Sequence, residues 1–314
     1  MLEVVLLAAG FVLLVKGADF FVDGSVGIAK TLKIPSVIIG LTVVALGTSA
    51  PEAVVSLTAS LKGANALAVG NVVGSNIFNL LLVVGLCGLI KPFGVNFKEM
   101  SGDFGVSIGS AAALFAIILV CGDSVPRVFG FTFLAVFALY MFMLIRKARQ
   151  PEAAEHAVPE TSETTEKPLG FSIFWAIFGC ALIIFGGQLT VDNAVKIASA
   201  IGMSERVIGL TVCAVGTSLP ELVTSLTACR KGETGIALGN IIGSNIFNIL
   251  AVLGIAGAVA PLSVDPKLLI DLSVLIFGSF CVYLFIKGGK ITRLNGAAMV
   301  FLFAAYTAFI LINV

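Results

Sequence analysis

The sequence has few of the residues that a soluble protein uses on its surface and in polar sites. Its 314 residues include one histidine, one tryptophan and three tyrosines, and only 12% of the residues are charged. Soluble domains carry about 25% charged residues. Hydrophobic residues make up 58% of the chain, and the mean hydropathy is +1.10. The composition therefore predicts a membrane protein that crosses the bilayer many times.

The motifs of common metal and cofactor sites are also missing. The six cysteines lie singly in apolar segments without a CxxC pair, so we interpret them as small buried residues. His156 lies alone in a polar segment, and no His/Cys metal site can be assembled. The net charge of +1 and the lack of a basic stripe give no indication of nucleic-acid binding. We expect no cofactor and no obligatory protein partner.

The apolar segments predict ten membrane spans. A spanning helix needs about 20 mostly apolar residues. Between the fifth and sixth spans lies a polar stretch rich in glutamate and proline, which is typical of a flexible linker. The N-terminal segment has no preceding basic region, which favours a first span over a cleavable signal peptide. The predicted spans are 2–30, 36–60, 65–89, 101–121, 126–146, 169–199, 206–229, 234–258, 267–287 and 292–313.

Part of the sequence occurs twice. Gly40–Gly85 and Gly209–Gly254 align without a gap at an offset of 169, with 29 of 46 positions identical. The motif GTSAPE recurs as GTSLPE, and GNVVGSNIFN recurs as GNIIGSNIFN. Polar groups are costly inside apolar segments, so their duplication indicates one site built from two related halves.

The span count predicts an all-α membrane protein with ten transmembrane helices in two inverted five-helix repeats. The repeats are 1–147 and 169–314, joined by a linker at 148–168. Five spans in each half is an odd number, so the second half enters the bilayer from the opposite side. With an external N-terminus, thirteen lysines and arginines fall in cytoplasmic loops and four fall outside. The positive-inside rule then places the linker in the cytoplasm and both termini outside the cell (inner) membrane.

Glu52 and Glu221 are the acids nearest the middle of spanning segments. A charge at the bilayer centre costs at least a few kcal/mol, so it must meet cations, water or a proton. A neutral acid that is hydrogen-bonded to a neighbouring helix is the alternative. The recurrence of the acid in the same motif favours a binding role.

Each glutamate follows a predicted break in its helix. Pro51 and Pro220 have no amide hydrogen, so the carbonyls of Gly47 and Gly216 lose their helical partners. Freed carbonyls persist at membrane depth only where protein or a hydrated cavity receives them. Together with nearby hydroxyls they form an oxygen-rich set that suits Ca²⁺ and Na⁺, although a kink used only for packing is the alternative. The hydroxyls are those of Thr48, Ser49, Thr217 and Ser218.

The third span of each half carries a second polar face. Asn71, Ser75 and Asn79 are spaced four residues apart, which places them on one helical face. For Asn79 and Asn248, hydrogen bonding between helices is the alternative to ion binding. The same pattern recurs at Asn240, Ser244 and Asn248.

The charge of the two glutamates limits the cargo. One Ca²⁺, two Na⁺ or two protons would neutralise the pair. Competition between these ions for the same carboxylates couples their fluxes, and the empty charged site resists occlusion because its desolvation is costly. The predicted activity is therefore exchange of one cation for another.

The doubled motif pair across ten spans resembles the cation/calcium antiporter superfamily, in particular the prokaryotic type of its sodium/calcium exchanger branch. The resemblance covers essentially the whole chain. It implies a central site with Glu52 and Glu221 as acidic ligands and with the backbone carbonyls of Ala45 and Ala214 as further ligands. Its hydroxyl ligands correspond to Thr48, Ser49, Ser75, Thr217, Ser218 and Ser244.

The sequence departs from the family pattern at one position. Family members often carry an aspartate at one of the positions matching Asn79 and Asn248, whereas this chain has asparagine at both. The resemblance therefore does not fix the sodium stoichiometry. The short linker also leaves no room for cytoplasmic calcium-sensing domains.

The leading hypothesis is an antiporter that exchanges Ca²⁺ for Na⁺ by alternating access and extrudes calcium. Its partners are inorganic cations and the lipid bilayer. A proton-driven cation exchanger is the alternative, followed by a passive cation channel with a glutamate filter. No nucleophile or nucleotide loop indicates an enzyme.

Acidic residues also lie near the ends of spans one and six. Asp19, Asp23 and Asp192 are predicted to be solvated, because charges at helix ends usually reach water. The resemblance implies that these two spans slide during transport, and Asp23 and Asp192 are expected to tune that movement.

Overall fold

The computed structural model describes residues 2–150, 168–203, 214–265 and 267–313. Within these residues, eight continuous helical stretches are long and apolar enough to span a membrane, two of them with an internal π-helical segment, and a bent helix pair adds a ninth candidate. This confirms a mostly helical membrane protein. The predicted seventh span, 206–229, and the predicted linker both lie partly outside the described residues.

The helices follow the apolar segments closely. The α-helices are α1 (Leu2–Leu32), α2 (Ser36–Ile39), α3 (Ala45–Thr48), α4 (Ala50–Leu61), α5 (Asn65–Ile77), α6 (Val84–Ile90), α7 (Phe97–Cys121), α8 (Arg127–Ala148), α9 (Leu169–Ala200), α10 (Ala214–Thr217), α11 (Leu219–Lys231), α12 (Thr234–Ile246), α13 (Leu253–Val259), α14 (Leu268–Lys287) and α15 (Arg293–Asn313). Within the described part of the duplicated spans there are three π-helical segments: π1 (Gly40–Val44), π2 (Phe78–Val83) and π3 (Phe247–Val252).

The described chain forms two compact units, and each unit draws on both halves of the sequence. Unit 1 contains Met1–Pro51 and Ile145–Asn240, and unit 2 contains Glu52–Leu144 and Ile241–Val314.

Unit 1 is built around the pair of α1 and α9, which are in contact along much of their length. Glycines make this contact possible. A Cβ atom at Gly17 would lie 2.9 Å from the Gly179 carbonyl oxygen, and one at Gly186 would lie 2.8 Å from the Gly10 oxygen. The two backbones therefore touch, which is a common way to pack helices in a membrane. Helix α11 packs against α1 and α9.

Unit 2 has its core around α5, π2 and α6, with α14 and α15 packed on them. Two short antiparallel strand pairs connect its loops. β1 (Phe93–Gly94) pairs with β4 (Lys290–Ile291), and β2 (Ser124–Val125) pairs with β3 (Leu262–Ser263). These pairs join loops that are far apart in sequence.

Candidate functional site

The predicted site residues fall into two groups, one in each unit. In both groups the described side chains are buried, except for the half-buried Thr217. Unit 1 holds Ala45, Thr48, Ser49, Ala214, Thr217, Ser218 and Glu221. Unit 2 holds Glu52, Ser75, Asn79, Ser244 and Asn248.

The helix breaks lie where the prolines predict them. The first duplicated span bends by 50° between α3 and α4, with Ser49 as the residue between them. In the second copy, Ser218 separates α10 from α11, and Pro220 occupies the first turn of α11. Because proline has no N–H, it is tolerated in this first turn and not in a helix interior.

A side chain receives one of the carbonyls at the break. The Cys180 thiol donates to the Gly47 carbonyl oxygen with a sulfur–oxygen distance of 3.8 Å. The Ala45 carbonyl instead accepts the Ser49 amide at 3.0 Å. Pro51 therefore releases the Gly47 carbonyl from the helix, and a neighbouring helix of unit 1 supplies its partner.

The break in the first motif copy positions the Ser49 hydroxyl against Glu221, the glutamate of the second motif copy. The Ser49 hydroxyl donates to Glu221 Oε1 at 2.8 Å. The neighbouring Thr48 hydroxyl donates to Asn240 Oδ1 at 2.9 Å, and Asn240 Nδ2 donates to Ser225 Oγ at 2.9 Å. All five side chains are fully buried. Residues 172 positions apart, Ser49 and Glu221, thus belong to one polar cluster.

Unit 2 contains a related cluster around Glu52, the glutamate of the first motif copy. The Ser75 hydroxyl donates to Glu52 Oε1 at 3.3 Å. Asn71 Nδ2 donates to Ser56 Oγ at 3.1 Å, which repeats the bond between Asn240 and Ser225 in unit 1. Both glutamates therefore lie in buried surroundings that contain hydroxyl and amide groups.

Four asparagines form a second cluster in unit 2. Asn79 and Asn248 each occupy the second position of a π-helical segment, π2 and π3. Single π-helical turns are frequent at functional sites. Their side-chain nitrogens donate to Asn245 Oδ1 at 3.4 Å and to Asn76 Oδ1 at 3.1 Å, respectively. The sequence analysis did not single out Asn76 and Asn245, although both follow the serine of the repeated GSN motif.

Asn79 and Asn248, the outer two of the four asparagines, have side-chain oxygens that are available as ligands. Asn79 Oδ1 and Asn248 Oδ1 are buried, and no hydrogen-bond donor among the described residues contacts either atom. A buried amide oxygen without a donor is costly unless water or a cation contacts it. Carboxylate, hydroxyl and amide oxygens are the ligands that Ca²⁺ and Na⁺ prefer.

The acids near the end of α1 have a partner that the sequence does not indicate. Lys231 Nζ lies 2.8 Å from Asp23 Oδ1 and 3.4 Å from Asp19 Oδ1. The aspartates are partly exposed, as predicted, but they are also ion-paired with the end of α11. In the second half, Gln188 Nε2 donates to Asp192 Oδ1 at 3.3 Å on an exposed surface.

Glu233 lies in the loop after α11, beside the ion pair of Lys231 with Asp23. Burial raises the pKa of its carboxyl group, and the negative charge of Asp23 raises it further. The positive charges of Lys30 and Lys231 lower the same pKa and partly offset the burial. The loop after α11 is therefore a cluster of mutually interacting charges.

Unit 2 also contains two tyrosine–aspartate pairs, one buried and one half-buried, that were not predicted from the sequence. The Tyr140 hydroxyl donates to Asp103 Oδ1 at 3.1 Å, and the Tyr306 hydroxyl donates to Asp271 Oδ1 at 2.9 Å. The pairs join α7 to α8 and α14 to α15. A sequence signal existed, since each pair contributes an aspartate to one span and a tyrosine to the next.

Comparison with known proteins gives a consistent picture. Residues 2–146 and 171–312 match the model of the family described as sodium/calcium exchanger protein. The chain is 38% identical to the inner membrane protein YrbG of Escherichia coli, covering 85% of this chain and 82% of that protein. It is 33% identical to the sodium/calcium exchanger MaX1 of Methanosarcina acetivorans, covering 96% of each.

The fold also matches a solved structure. The sodium-calcium exchanger NCX_Mj, soaked with Na⁺ and Ca²⁺, superimposes with a TM-score of 0.85 at 33% sequence identity. The match covers 98% of both chains. The similarity therefore extends over both halves of the sequence.

Proposed function

The chain belongs to the sodium/calcium exchanger protein family and is an antiporter that exchanges Ca²⁺ for Na⁺, and we propose that it works by alternating access and extrudes calcium from the cell. An inward sodium gradient drives calcium outward when both ions compete for one site. Coupling requires that the ion-loaded site can change the side of the membrane to which it opens, and that the empty site cannot. The buried glutamates provide this condition, because two unneutralised carboxylates are costly to occlude.

We propose ten spans arranged as two inverted repeats. The eight long helices and the bent ninth candidate agree with nine of the ten predicted segments. The tenth is the span that ends in α10 and α11, which repeats the break of α3 and α4. An odd number of spans in each half then gives opposite orientations, and the loop charges place the linker in the cytoplasm and both termini outside the inner membrane.

The observation that carries the proposed ion site is the environment of the two glutamates. Each is fully buried in an apolar protein, and each accepts a hydrogen bond from a hydroxyl that belongs to a repeated motif. We assign both carboxylates as the charged ligands of Ca²⁺. The neutral oxygen ligands are assigned to Thr48, Ser49, Ser75, Asn79, Thr217, Ser218, Ser244 and Asn248, and to the backbone carbonyls of Ala45 and Ala214.

Two equal negative charges make the site electrically neutral with one Ca²⁺ or with two monovalent ions. Two protons would neutralise the two glutamates as well as two Na⁺ ions do. The identity of the driving ion therefore needs a direct test. A channel would conduct Ca²⁺ without any counter-ion.

The test is calcium uptake into proteoliposomes that contain the purified protein. We expect radioactive calcium to accumulate when the vesicles are loaded with Na⁺ and diluted into Na⁺-free buffer. Uptake driven only by an outward proton gradient would replace Na⁺ by H⁺ in the proposal. Uptake that ignores both gradients would overturn the antiport mechanism.

The site is tested by Glu52→Gln and Glu221→Gln, which keep the size of the side chain and remove its charge. We expect each variant to lose more than about 90% of the exchange rate, which corresponds to at least about 1.4 kcal/mol of transition-state stabilisation. Glu99→Gln, in the first turn of α7 outside the repeated motifs, is the matched control and should transport normally. Unimpaired exchange in both site variants would refute the assignment.

A further inference from the structure

We propose that Asn76 and Asn245 are positioning residues that orient the side-chain oxygens of Asn79 and Asn248 toward the transported cation. This inference rests on the proposed function and adds two residues to its machinery. All four asparagines are in unit 2 and are at most 1% exposed.

The two inner asparagines of the cluster, Asn76 and Asn245, contact each other. Asn76 Nδ2 donates to the backbone carbonyl of Asn245 at 3.1 Å, and Asn245 Nδ2 donates to the backbone carbonyl of Asn76 at 3.3 Å. Each side chain thus binds the backbone of the equivalent residue in the other repeat. A carbonyl accepts and cannot donate, so both amide nitrogens are held at these carbonyls.

With its nitrogen held, each inner asparagine presents Oδ1 on the opposite side of its amide group. Asn76 Oδ1 accepts from Asn248 Nδ2 at 3.1 Å, and Asn245 Oδ1 accepts from Asn79 Nδ2 at 3.4 Å. The pairing is crossed, because each inner asparagine holds the outer asparagine of the other repeat.

An asparagine amide has the oxygen and the nitrogen on opposite sides, and a rotation by half a turn exchanges them. If Asn248 were rotated, its oxygen would face Asn76 Oδ1, and two acceptors would be in contact without a hydrogen. The same holds for Asn79 and Asn245. The cluster therefore allows one orientation, in which both outer oxygens point away from the inner pair.

The outer oxygens are the atoms that need a ligand. Among the described residues, Asn79 Oδ1 and Asn248 Oδ1 have no hydrogen-bond partner although both are buried. An amide nitrogen in their place would repel a cation. The inner pair thus selects the cation-binding face of each outer amide without contacting the ion.

The test is a set of double-mutant cycles on the Na⁺-driven Ca²⁺ uptake of the reconstituted full-length protein. We expect Asn76→Ala to raise the KM for Ca²⁺ about five- to tenfold, since an amide that has lost one hydrogen bond rotates more freely. The maximal rate per folded protein should change less than about twofold, because the glutamates and hydroxyls remain in place.

The crossed contacts make a specific prediction about coupling. In the Asn248→Ala background, adding Asn76→Ala should change KM less than about twofold, because the residue that it positions is already absent. In the Asn79→Ala background, Asn76→Ala should keep its full effect. Asn245→Ala should show the reverse pattern, coupled to Asn79 and independent of Asn248.

Two outcomes would overturn the proposal. One is equal coupling of Asn76 to Asn79 and Asn248, or no coupling to either. The other is a failure of both Asn76→Ala and Asn76→Ser to give monodisperse protein while Asn79→Ala and Asn248→Ala fold normally, which would assign Asn76 to stability instead. Failure of the exchanger function itself is distinguishable, because the wild-type protein would then show no Na⁺-driven uptake.

Discussion

The two units hold their helices together in different ways. In unit 1, α1 and α9 touch through glycines, so that the backbone of one helix lies against the backbone of the other. In unit 2, buried or half-buried polar side chains connect neighbouring elements, as in the asparagine cluster and the two tyrosine–aspartate pairs. Glycine contacts depend on shape alone, whereas the polar contacts depend on specific donors and acceptors.

The difference has a consequence for function. A lipid-facing helix pair gains little from hydrophobic burial, because lipid tails are as apolar as leucine, so close approach must supply the attraction. A site for cations needs the opposite, namely polar groups held in one arrangement. Unit 2 has such an arrangement in its four asparagines. Unit 1 combines the glycine contact between α1 and α9 with the polar cluster around Glu221.

The largest effect is expected where a side chain enters the glycine contact of unit 1. In Gly179→Ala, the new Cβ would lie 2.4 Å from the Phe21 amide nitrogen and 2.6 Å from the Gly17 carbonyl oxygen. Backbone atoms cannot move aside as side chains do, so the loss of stability should exceed the about 1–3 kcal/mol typical of an overpacked core. The measurement is the thermal unfolding midpoint in detergent.

The matched control for this substitution is Gly109→Ala in α7. No heavy atom of a described neighbour lies within 4 Å of a Cβ placed there. The variant should be unchanged or more stable, because alanine is the better helix former by up to about 1 kcal/mol. If Gly179→Ala had the same thermal unfolding midpoint as the wild-type protein, the close backbone contact would be refuted.

A moderate effect is expected from the polar contacts of unit 2. Tyr140→Phe removes the hydroxyl that donates to Asp103 and should cost about 1–3 kcal/mol of stability. Tyr306→Phe should cost less, because Tyr306 and Asp271 are only half-buried, whereas Tyr140 and Asp103 are each 4% exposed. The unfolding midpoints of the two variants test this order, and the reverse order would contradict it.

The smallest effect is expected at the ion pair of unit 1. Lys231→Gln removes the contacts with Asp19 and Asp23, whose side chains are 38% and 57% exposed. Exposed ion pairs contribute about 0–1 kcal/mol, and salt screens them. We expect a small decrease in the unfolding midpoint at low salt and none at high salt. A large decrease that persists in high salt would show a role beyond this pair.

Local chemistry made several features predictable. The breaks at Ser49 and Ser218 follow from prolines two residues later, since a missing N–H acts within its own helix. Most helix bounds agree with the apolar segments for the same local reason. The environment of Glu52 was also predictable, because Ser75 lies on the polar face of the next span in the sequence.

Other features depended on contacts between distant segments. Lys231 and Asp23 are 208 residues apart, and nothing in either local sequence selects the other. The π-helical segments π2 and π3 were not predicted, because the sequence GSNIFN also suits an ordinary α-helix. The crossed pairing of Asn76 with Asn248 required the relative placement of two spans, which a repeat alone leaves open.

The sequence alone determined the membrane class, the duplication, the helix breaks and the two acids of the proposed ion site. These depend on composition, on periodicity and on the missing N–H of proline, and all of these are properties of single segments. Only the tertiary structure decided which hydroxyl meets Glu221 and which amide oxygens of the four asparagines have no hydrogen-bond donor among the described residues. Those choices depend on distances of about 3 Å between segments more than a hundred residues apart, and packing fixes such distances.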